Sequence, residues 1–423
     1  MEKIVSLAKR RGFIYPGSDV YGGLAGTWDY GPLGVEMKNN IKNLWWRKFV
    51  SDKDDIYGVD AAIIMNPKVW ESSGHVSGFS DPLVECKKCH KRFRSDHLKE
   101  DKCPLCGGEL TEERQFNMMF KTSIGPVEET SSQVYLRPET AQGMFVNFGN
   151  IVDSFHPKIP FGMGQIGKAF RNEITPKDFI FRTREFEQME IEYFIREEDW
   201  EKYFEYWRVE MLSWIDEIGL SSGSVSELEV PKDDLAHYSK RTIDFEYKFP
   251  FGVSELYGLA YRMDFDLKSH NLDYYDEETK ETFIPHVIEP TFGVDRTVLA
   301  ILTDAYTEDE LSGEPRVFLK LKPSIAPVKV AIFPLLKNKP ELVGKAREVY
   351  SMIKKEIPQI MFDTNGNIGK RYRRQDEIGT PYCVTVDFDT LEDDTVTLRD
   401  RDTGKQERVD VNKLIDKIKS VLI

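Results

Sequence analysis

A chain of 423 residues, 40% hydrophobic and 31% charged, has the length for two or three domains and the composition of a soluble globular protein. No apolar run approaches the roughly 18 residues of a membrane span. The first residues, MEKIVSLAKRRGFIYPG, lack the apolar core and cleavage site of a secretory signal, so cytoplasm is the expected compartment. The net charge of −14 is unevenly placed: residues 326–423 carry 18 Lys+Arg against 16 Asp+Glu, and the remainder 40 against 56. An acidic body argues against indiscriminate nucleic-acid binding and leaves room for a local basic patch.

Residues 1–31 are rich in Gly and aromatic side chains and read as a tightly turned loop packed on a body, because Gly permits close backbone approach. Residues 34–50 read as a helix with an apolar stripe through Ile41, Leu44, Trp45, Trp46 and Phe49. Two adjacent Trp suit core packing first and a subunit interface second. A strand over 56–65 stops at Asn66-Pro67. Between 167 and 195 two alternating segments flank ITPKDF, whose Pro and Asp suit a turn. In the second segment Arg184, Phe186, Gln188, Glu190 and Glu192 share one face, while Met189, Ile191, Tyr193 and Ile195 share the other. Pairing as a hairpin crowds Arg171, Arg182, Arg184, Phe186 and Glu190 onto one surface. Fixed positive charge, an aromatic plate and a carboxylate suit a nucleoside triphosphate plus an amine.

Residues 199–218 read as a helix with Trp200, Tyr203, Phe204, Trp207, Met211 and Ile215 as its core stripe. Strands are expected over 255–267 and 282–289, and a helix over 292–306. A linker, LKPSIAPVKV, leads to a unit in which strands and helices alternate as in a small α/β domain. The expected organisation is one domain from 1–80 and 136–322, an insertion at 81–135, and a C-terminal domain at 326–423.

Cys86, Cys89, Cys103 and Cys106 form two CxxC pairs, four thiolates that suit a closed, structural Zn²⁺ site, a zinc ribbon, in a reducing compartment. In PHVIEPTFGVDRTVLA, Glu289 and Thr291 share a strand face and Gly293 opens a helix. Arg296 in the first turn opposes the helix dipole, a cost that a polyphosphate would offset. YLRPETAQG adds Arg137, Glu139 and Gln142, and ELYGLAYRMDFDLKSH adds Glu255 and Arg262. No GxxxxGK[ST] or GxGxxG loop is present, so P-loop and dinucleotide chemistry have little to rest on.

With these strings in view, the chain resembles the class II aminoacyl-tRNA synthetases, and within them the homodimeric glycyl type. The helix over 34–50 with the following strand is similar to the family's first motif, FRNEITP…REFEQMEIE to the second and EPTFGVDR to the third. LRPETAQG is similar to the loop that closes the amino-acid site, and GKRYRRQDEIGTPYCVTVDFDT to the anticodon-binding domain. The resemblance implies an α+β fold: an antiparallel catalytic sheet flanked by helices, a zinc-ribbon-like insertion and a C-terminal α/β anticodon-binding domain. It implies ligation of glycine to tRNA(Gly) with ATP, through glycyl-adenylate, in a homodimer with no membrane or DNA partner. The alternatives are a class II enzyme for proline, serine or threonine, or a non-catalytic RNA-binding relative.

By the same resemblance, Arg171 grips the α-phosphate, Glu173 meets the adenine amino group and Phe186 stacks on adenine. Arg296 and Arg182 hold the terminal phosphates. Glu190 and Glu289 bind the glycine ammonium, with Glu139 and Glu255 near them, and Arg262 lies close to the substrate carboxylate. Thr291 stands where serine is usual, keeping the hydroxyl and adding a methyl. Arg171, Arg296 and Glu289 carry the catalytic expectation. Mg²⁺ accompanies ATP, with Glu289 as one candidate ligand. In the last domain Lys370, Arg371, Arg373 and Arg374 form a local basic patch expected to dock tRNA.

Overall fold

The computed structural model describes residues 1–126, 132–221, 223–311 and 313–422. Residues 127–131 of the expected insertion lie outside the described residues, as do 222, 312 and 423.

The N-terminus departs from the expected loop. Helix α1 (Glu2–Arg11) buries Ile4, Leu7 and Ala8, and Gly12 closes it in the left-handed region at φ 76°. Its N–H reaches back to the carbonyls of Ala8 and Lys9. The turned, aromatic-rich segment is therefore confined to residues 12–31, where Ile14–Pro16 pairs antiparallel with Trp28–Tyr30. Helix α2 (Pro32–Trp46) follows, with Pro in its first turn and Gly34 against the Phe13 carbonyl, where a Cβ would overlap it. Trp45 is fully buried in the chain's own core, its ring 5.6 Å from Phe49 and 5.9 Å from Phe292. The core reading of the Trp pair holds for Trp45, whose ring has no surface to offer a partner, whereas Trp46 is only partly buried.

Among the described residues the largest sheet has seven strands. In chain order they are β1 (Ile56–Gly58), β2 (Phe161–Phe170), β3 (Glu185–Ile195), β4 (Val225–Glu229), β5 (Arg241–Phe249), β6 (Gly252–Met263) and β7 (His286–Gly293). The spatial order is β4-β5-β6-β7-β3-β2-β1, antiparallel except for the β1–β2 edge. On one face Met189, Ile191, Tyr193 and Ile195 are buried in the main core. There helix α3 (Trp200–Glu217) contributes Phe204, Trp207, Met211, Trp214 and Ile215, and helix α4 (Val294–Ala305) contributes Val298 and Leu302. The opposite face changes character along β3: Phe186, Gln188, Glu190, Glu192, then Phe194. Beyond Glu192, Phe145, Phe148, Phe161, Met163, Phe194 and Val287 form a second apolar cluster that closes the far end. The polar stretch is thus open only toward Phe186.

Before this sheet is completed, Ser80–Glu85 pairs with Arg92–Arg94 and Arg114–Asn117 to carry the cysteines. The C-terminal unit has a sheet of β8 (Val330–Pro334), β9 (Ile360–Phe362), β10 (Tyr382–Val386), β11 (Thr395–Asp400) and β12 (Gln406–Asp410), in the order β9-β8-β10-β11-β12. Helix α5 (Pro340–Glu356) completes its separate core through Val349 and Ile353, and helix α6 (Ile368–Ile378) packs beside it. This unit is firmly docked. Asn40 donates to the carbonyls of Ile325 and Ala326 at 3.1 Å each, and Gln359 donates to Asn40 and Glu36. Arg316 reaches the buried Asp376, which also receives Arg399 through two bonds of 2.8 and 2.9 Å. No described helix is long and apolar enough to cross a membrane.

Candidate active site

The polar face carries two adjoining sites, an open outer pocket and an inner one formed by a buried cluster of polar side chains. The outer one, a cavity of about 270 Å³, is lined by Arg171, Glu173, Phe181, Arg182, Phe186, Glu255, Thr291 and Arg296, with Arg94 from the cysteine-bearing insertion. Arg171 lies 5.3 Å from the Phe186 ring and spends one N–H on the Pro138 carbonyl. Arg182 pairs loosely with Glu173 at 3.5 Å. Arg296 sits 4.4 Å from the Phe181 ring and 3.1 Å from Glu255. Its charge is the main reason the Glu255 carboxyl lies below the usual range. On neighbouring β5, Asp244 is pushed up to about 7 by burial and by Glu255 and Glu246. An aromatic plate ringed by under-used guanidinium groups is a receptor for a base bearing phosphates.

The inner pocket is the reverse. Glu190 is 2% exposed and Glu289 8%. Thr140 Oγ1 donates to Glu190, Gln188 Nε2 donates to it at 2.8 Å, and Thr291 Oγ1 lies 3.1 Å from Glu289 and 3.3 Å from Glu190. Arg262 donates to both oxygens of Asp266 at 2.7 and 2.8 Å and to Glu289 at 2.5 Å. Three of its five N–H groups are so used, which leaves two. Burial, reinforced by Glu289 and Glu139, pushes the Glu190 carboxyl up to about 8, and burial raises Glu289 against the pull of Arg262. Glu192, deeper still, is raised well above its ordinary value by burial and Glu289; neither of its oxygens has a hydrogen-bond partner among the described residues. Glu139 behaves oppositely: His75, followed by Arg262 and Arg171, outweighs burial and holds it below the usual carboxylate range. Acid is in excess over cation here. Such a cluster suits a cationic group.

The expected residues are thus divided between two sites, with some reassigned. Glu255, grouped in the sequence with the ammonium contacts, stands beside Arg296 in the outer pocket. On β6 the residue opposite Thr291 is Gly258, which puts Glu255 three residues further along the strand toward the open end. Arg184 leaves the phosphate set, because its guanidinium donates to the carbonyls of Ala25 and Glu173. Gln188, Thr140 and Asp266 join the inner pocket. Gln188 shares the strand face already read, Thr140 follows Glu139, and Asp266 lies four residues beyond Arg262, so their spacings were visible but their partners were not.

The four cysteine sulfurs lie within 4.8 Å of one another, with Cys86–Cys106 at 3.5 Å and Cys89–Cys103 at 3.6 Å. Tetrahedral Zn–S bonds of about 2.3 Å give S–S edges of about 3.8 Å, so the set fits zinc. Gly108 is needed for the approach: a Cβ there would sit 3.1 Å from Cys86 Sγ and 2.8 Å from the Lys88 side chain.

The basic segment of α6 is less open than its sequence suggests. Arg371 is 1% exposed and donates to the carbonyls of Pro334 and Gly366, so its place in a surface patch is corrected. Arg373 contacts Pro315 and Glu314, and Arg374 pairs with Asp363 at 2.6 Å. Lys370 is exposed.

Comparison with known proteins agrees with both ends of the chain. The tRNA synthetase class II core domain (G, H, P, S and T) matches residues 120–305, and the anticodon binding domain matches residues 329–421. The glycine–tRNA ligase of Caldanaerobacter subterraneus subsp. tengcongensis is 52% identical, over 98% of this chain and 96% of its own length. The glycine–tRNA ligases of Thermobifida fusca and Bacillus cereus are 51% and 49% identical, over 98% of this chain and 96% and 97% of theirs.

Proposed function

The chain belongs to the glycine–tRNA ligase family of class II synthetases and charges tRNA with glycine; we propose that it does so in two steps, dividing the labour between the two pockets described above. The observation that carries this reading is the excess of carboxyl groups, the buried Glu190 and Glu289 and the partly buried Glu139, beside one arginine with N–H groups to spare.

The glycine ammonium sits among Glu139, Glu190, Glu289 and Thr291, and its carboxylate faces Arg262. Phe186 stacks on adenine, Glu173 receives its amino group, Arg171 holds the α-phosphate, and Arg182 and Arg296 hold the terminal phosphates. The glycine carboxylate attacks the α-phosphorus and pyrophosphate leaves. No side-chain base is required; alignment and charge neutralisation lower the barrier. A ribose hydroxyl of the 3′-terminal adenosine of tRNA(Gly) then attacks the activated carbonyl, the bond to the phosphate breaks and AMP leaves. Class II synthetases use Mg²⁺ with ATP. Glu255, half-exposed among the arginines and near the acid pair Asp244 and Glu246, suits it better than Glu289, whose Oε2 is engaged by Arg262. The ion supplies phosphate charge neutralisation. Zinc, held by Cys86, Cys89, Cys103 and Cys106, is structural in this reading.

Glycine has no side chain to grip, so selectivity comes from exclusion. A methyl forced against a packed wall costs roughly 1–3 kcal/mol. The reading includes a cytoplasmic homodimer and tRNA contact through Lys370, Arg373 and Arg374. For the dimer, the exposed Val20, Tyr21, Leu24 and Val35 replace the buried Trp45 as the apolar surface. The deciding experiment is ATP–pyrophosphate exchange with each amino acid, followed by charging of total tRNA. Exchange specific for glycine is expected, and equal or greater exchange with proline, serine or threonine would overturn the reading.

A further inference from the structure

We propose that His75, backed by Ser73, is a positioning residue for the amino-acid pocket, holding the Glu139 carboxylate in the orientation that receives the substrate ammonium. Ser73 Oγ lies 2.8 Å from His75 Nδ1, and His75 Nε2 lies 3.3 Å from Glu139 Oε2. Ser73 is 3% exposed. The imidazole ring is packed between Trp70 and Phe79, with centroids at 5.4 and 5.3 Å. Its backbone is fixed as well: Asn117 Nδ2 donates to the carbonyls of His75 and Val76 at 3.1 and 3.0 Å.

The chemistry of these atoms sets the proton positions. Glu139 is ionised and its oxygens only accept, so the His75 nitrogen facing it carries the N–H. The other ring nitrogen faces the Ser73 hydroxyl, which can either donate to it or accept from it, so the ring is held at both nitrogens. The second oxygen of Glu139 accepts from Gln142 Nε2 at 3.3 Å. Gln142 also donates to Asp266 at 2.8 Å and accepts through Oε1 from His270 Nε2 at 2.9 Å, and Arg262 donates to both Asp266 and Glu289. A run of contacts therefore extends from Ser73 to the opposite wall of the pocket. Without His75, Glu139 keeps the long Gln142 contact and is free to turn. A carboxylate placed by two donors is pre-organised for a cation; one placed by a single weak donor must be ordered on binding.

This inference rests on Glu139 being a glycine contact, and the test separates the two. In the full-length protein, His75→Ala, His75→Gln, Ser73→Ala and Glu139→Gln are compared by ATP–pyrophosphate exchange with glycine and ATP varied in turn. His75→Ala is expected to raise the KM for glycine about tenfold, the loss of one charge-assisted hydrogen bond. The KM for ATP stays within twofold. His75→Gln, whose amide N–H can reach Glu139, recovers most of the loss, and Ser73→Ala gives a smaller rise in the same direction. Combining His75→Ala with Glu139→Gln is no worse than Glu139→Gln alone. If Glu139→Gln raises the glycine KM and His75→Ala does not, the positioning role is wrong and the glycine reading of Glu139 stands. If Glu139→Gln itself has no effect, that reading fails and this inference falls with it. A parallel rise in both KM values with a lowered Tm, unrelieved by His75→Gln, would reduce His75 to packing and overturn the proposal.

Discussion

At the open end of β3, Arg171, Arg182 and Arg296 surround Phe186 with more N–H groups than partners; four residues further in, Glu190 and Glu289 share a buried space in which Arg262 is already largely engaged. Both regions are out of charge balance, in opposite senses, and solvent decides what each can tolerate. Near the surface water and aromatic faces stabilise an arginine, as Phe181 does for Arg296. In the interior burial and neighbouring carboxyl groups push a carboxyl toward its protonated form, as for Glu190 and Glu192. In the function proposed above, the outer pocket therefore takes its anion with its arginines already charged, whereas the inner pocket gives up a proton to take its cation.

The strongest way to break this comparison is at the outer pocket. Arg171→Ala removes a charge-assisted contact to the reacting phosphate worth about 3–4 kcal/mol, so exchange should fall roughly 100- to 1000-fold. Exchange within threefold of wild type would remove Arg171 from the site. At the inner pocket, Glu190→Gln keeps the shape and deletes the charge. Losing a buried charge contact of about 2–3 kcal/mol should raise the KM for glycine roughly 30- to 160-fold, with the KM for ATP nearly unchanged. A rise shared equally by both substrates would merge the two pockets into one.

The cysteine insertion reaches the outer pocket through Arg94, which is held by Asp81 at 2.7 Å. Cys86→Ser should lose bound zinc by metal analysis and lower tRNA charging about tenfold while lowering exchange less, because a structural metal site contributes folding energy to its own unit. Full zinc content with wild-type charging would dismiss the site. The smallest effect sharpens the proton argument. With Glu190 raised to about 8, the free pocket holds a proton at neutral pH and the ammonium binds the ionised form. Glycine affinity should therefore rise with pH and level off above about 8, by up to about tenfold per unit. Calorimetry in buffers of different ionisation enthalpy should detect the released proton; a heat independent of buffer would reject it.

The amino-acid sequence by itself determined what depends on short-range periodicity. The two faces of β3, the aromatic stripe of α3 and the paired CxxC turns each follow from spacing within one element, and the motif strings place the chain in its family before any contact is known. Tertiary structure alone decided which polar groups are free. Arg184 and Arg371 read like Arg171 and Lys370 in the sequence, yet both are spent on backbone carbonyls contributed by other segments. Glu255 joined the nucleotide side because of strand register, and Trp45 became core because Phe49 and Phe292 close over it. His75 gave no signal in its own segment, since its meaning lies in Glu139, 64 residues away. A charged side chain's role is set by what desolvates and pairs it, and those partners come from parts of the chain that only the fold brings together.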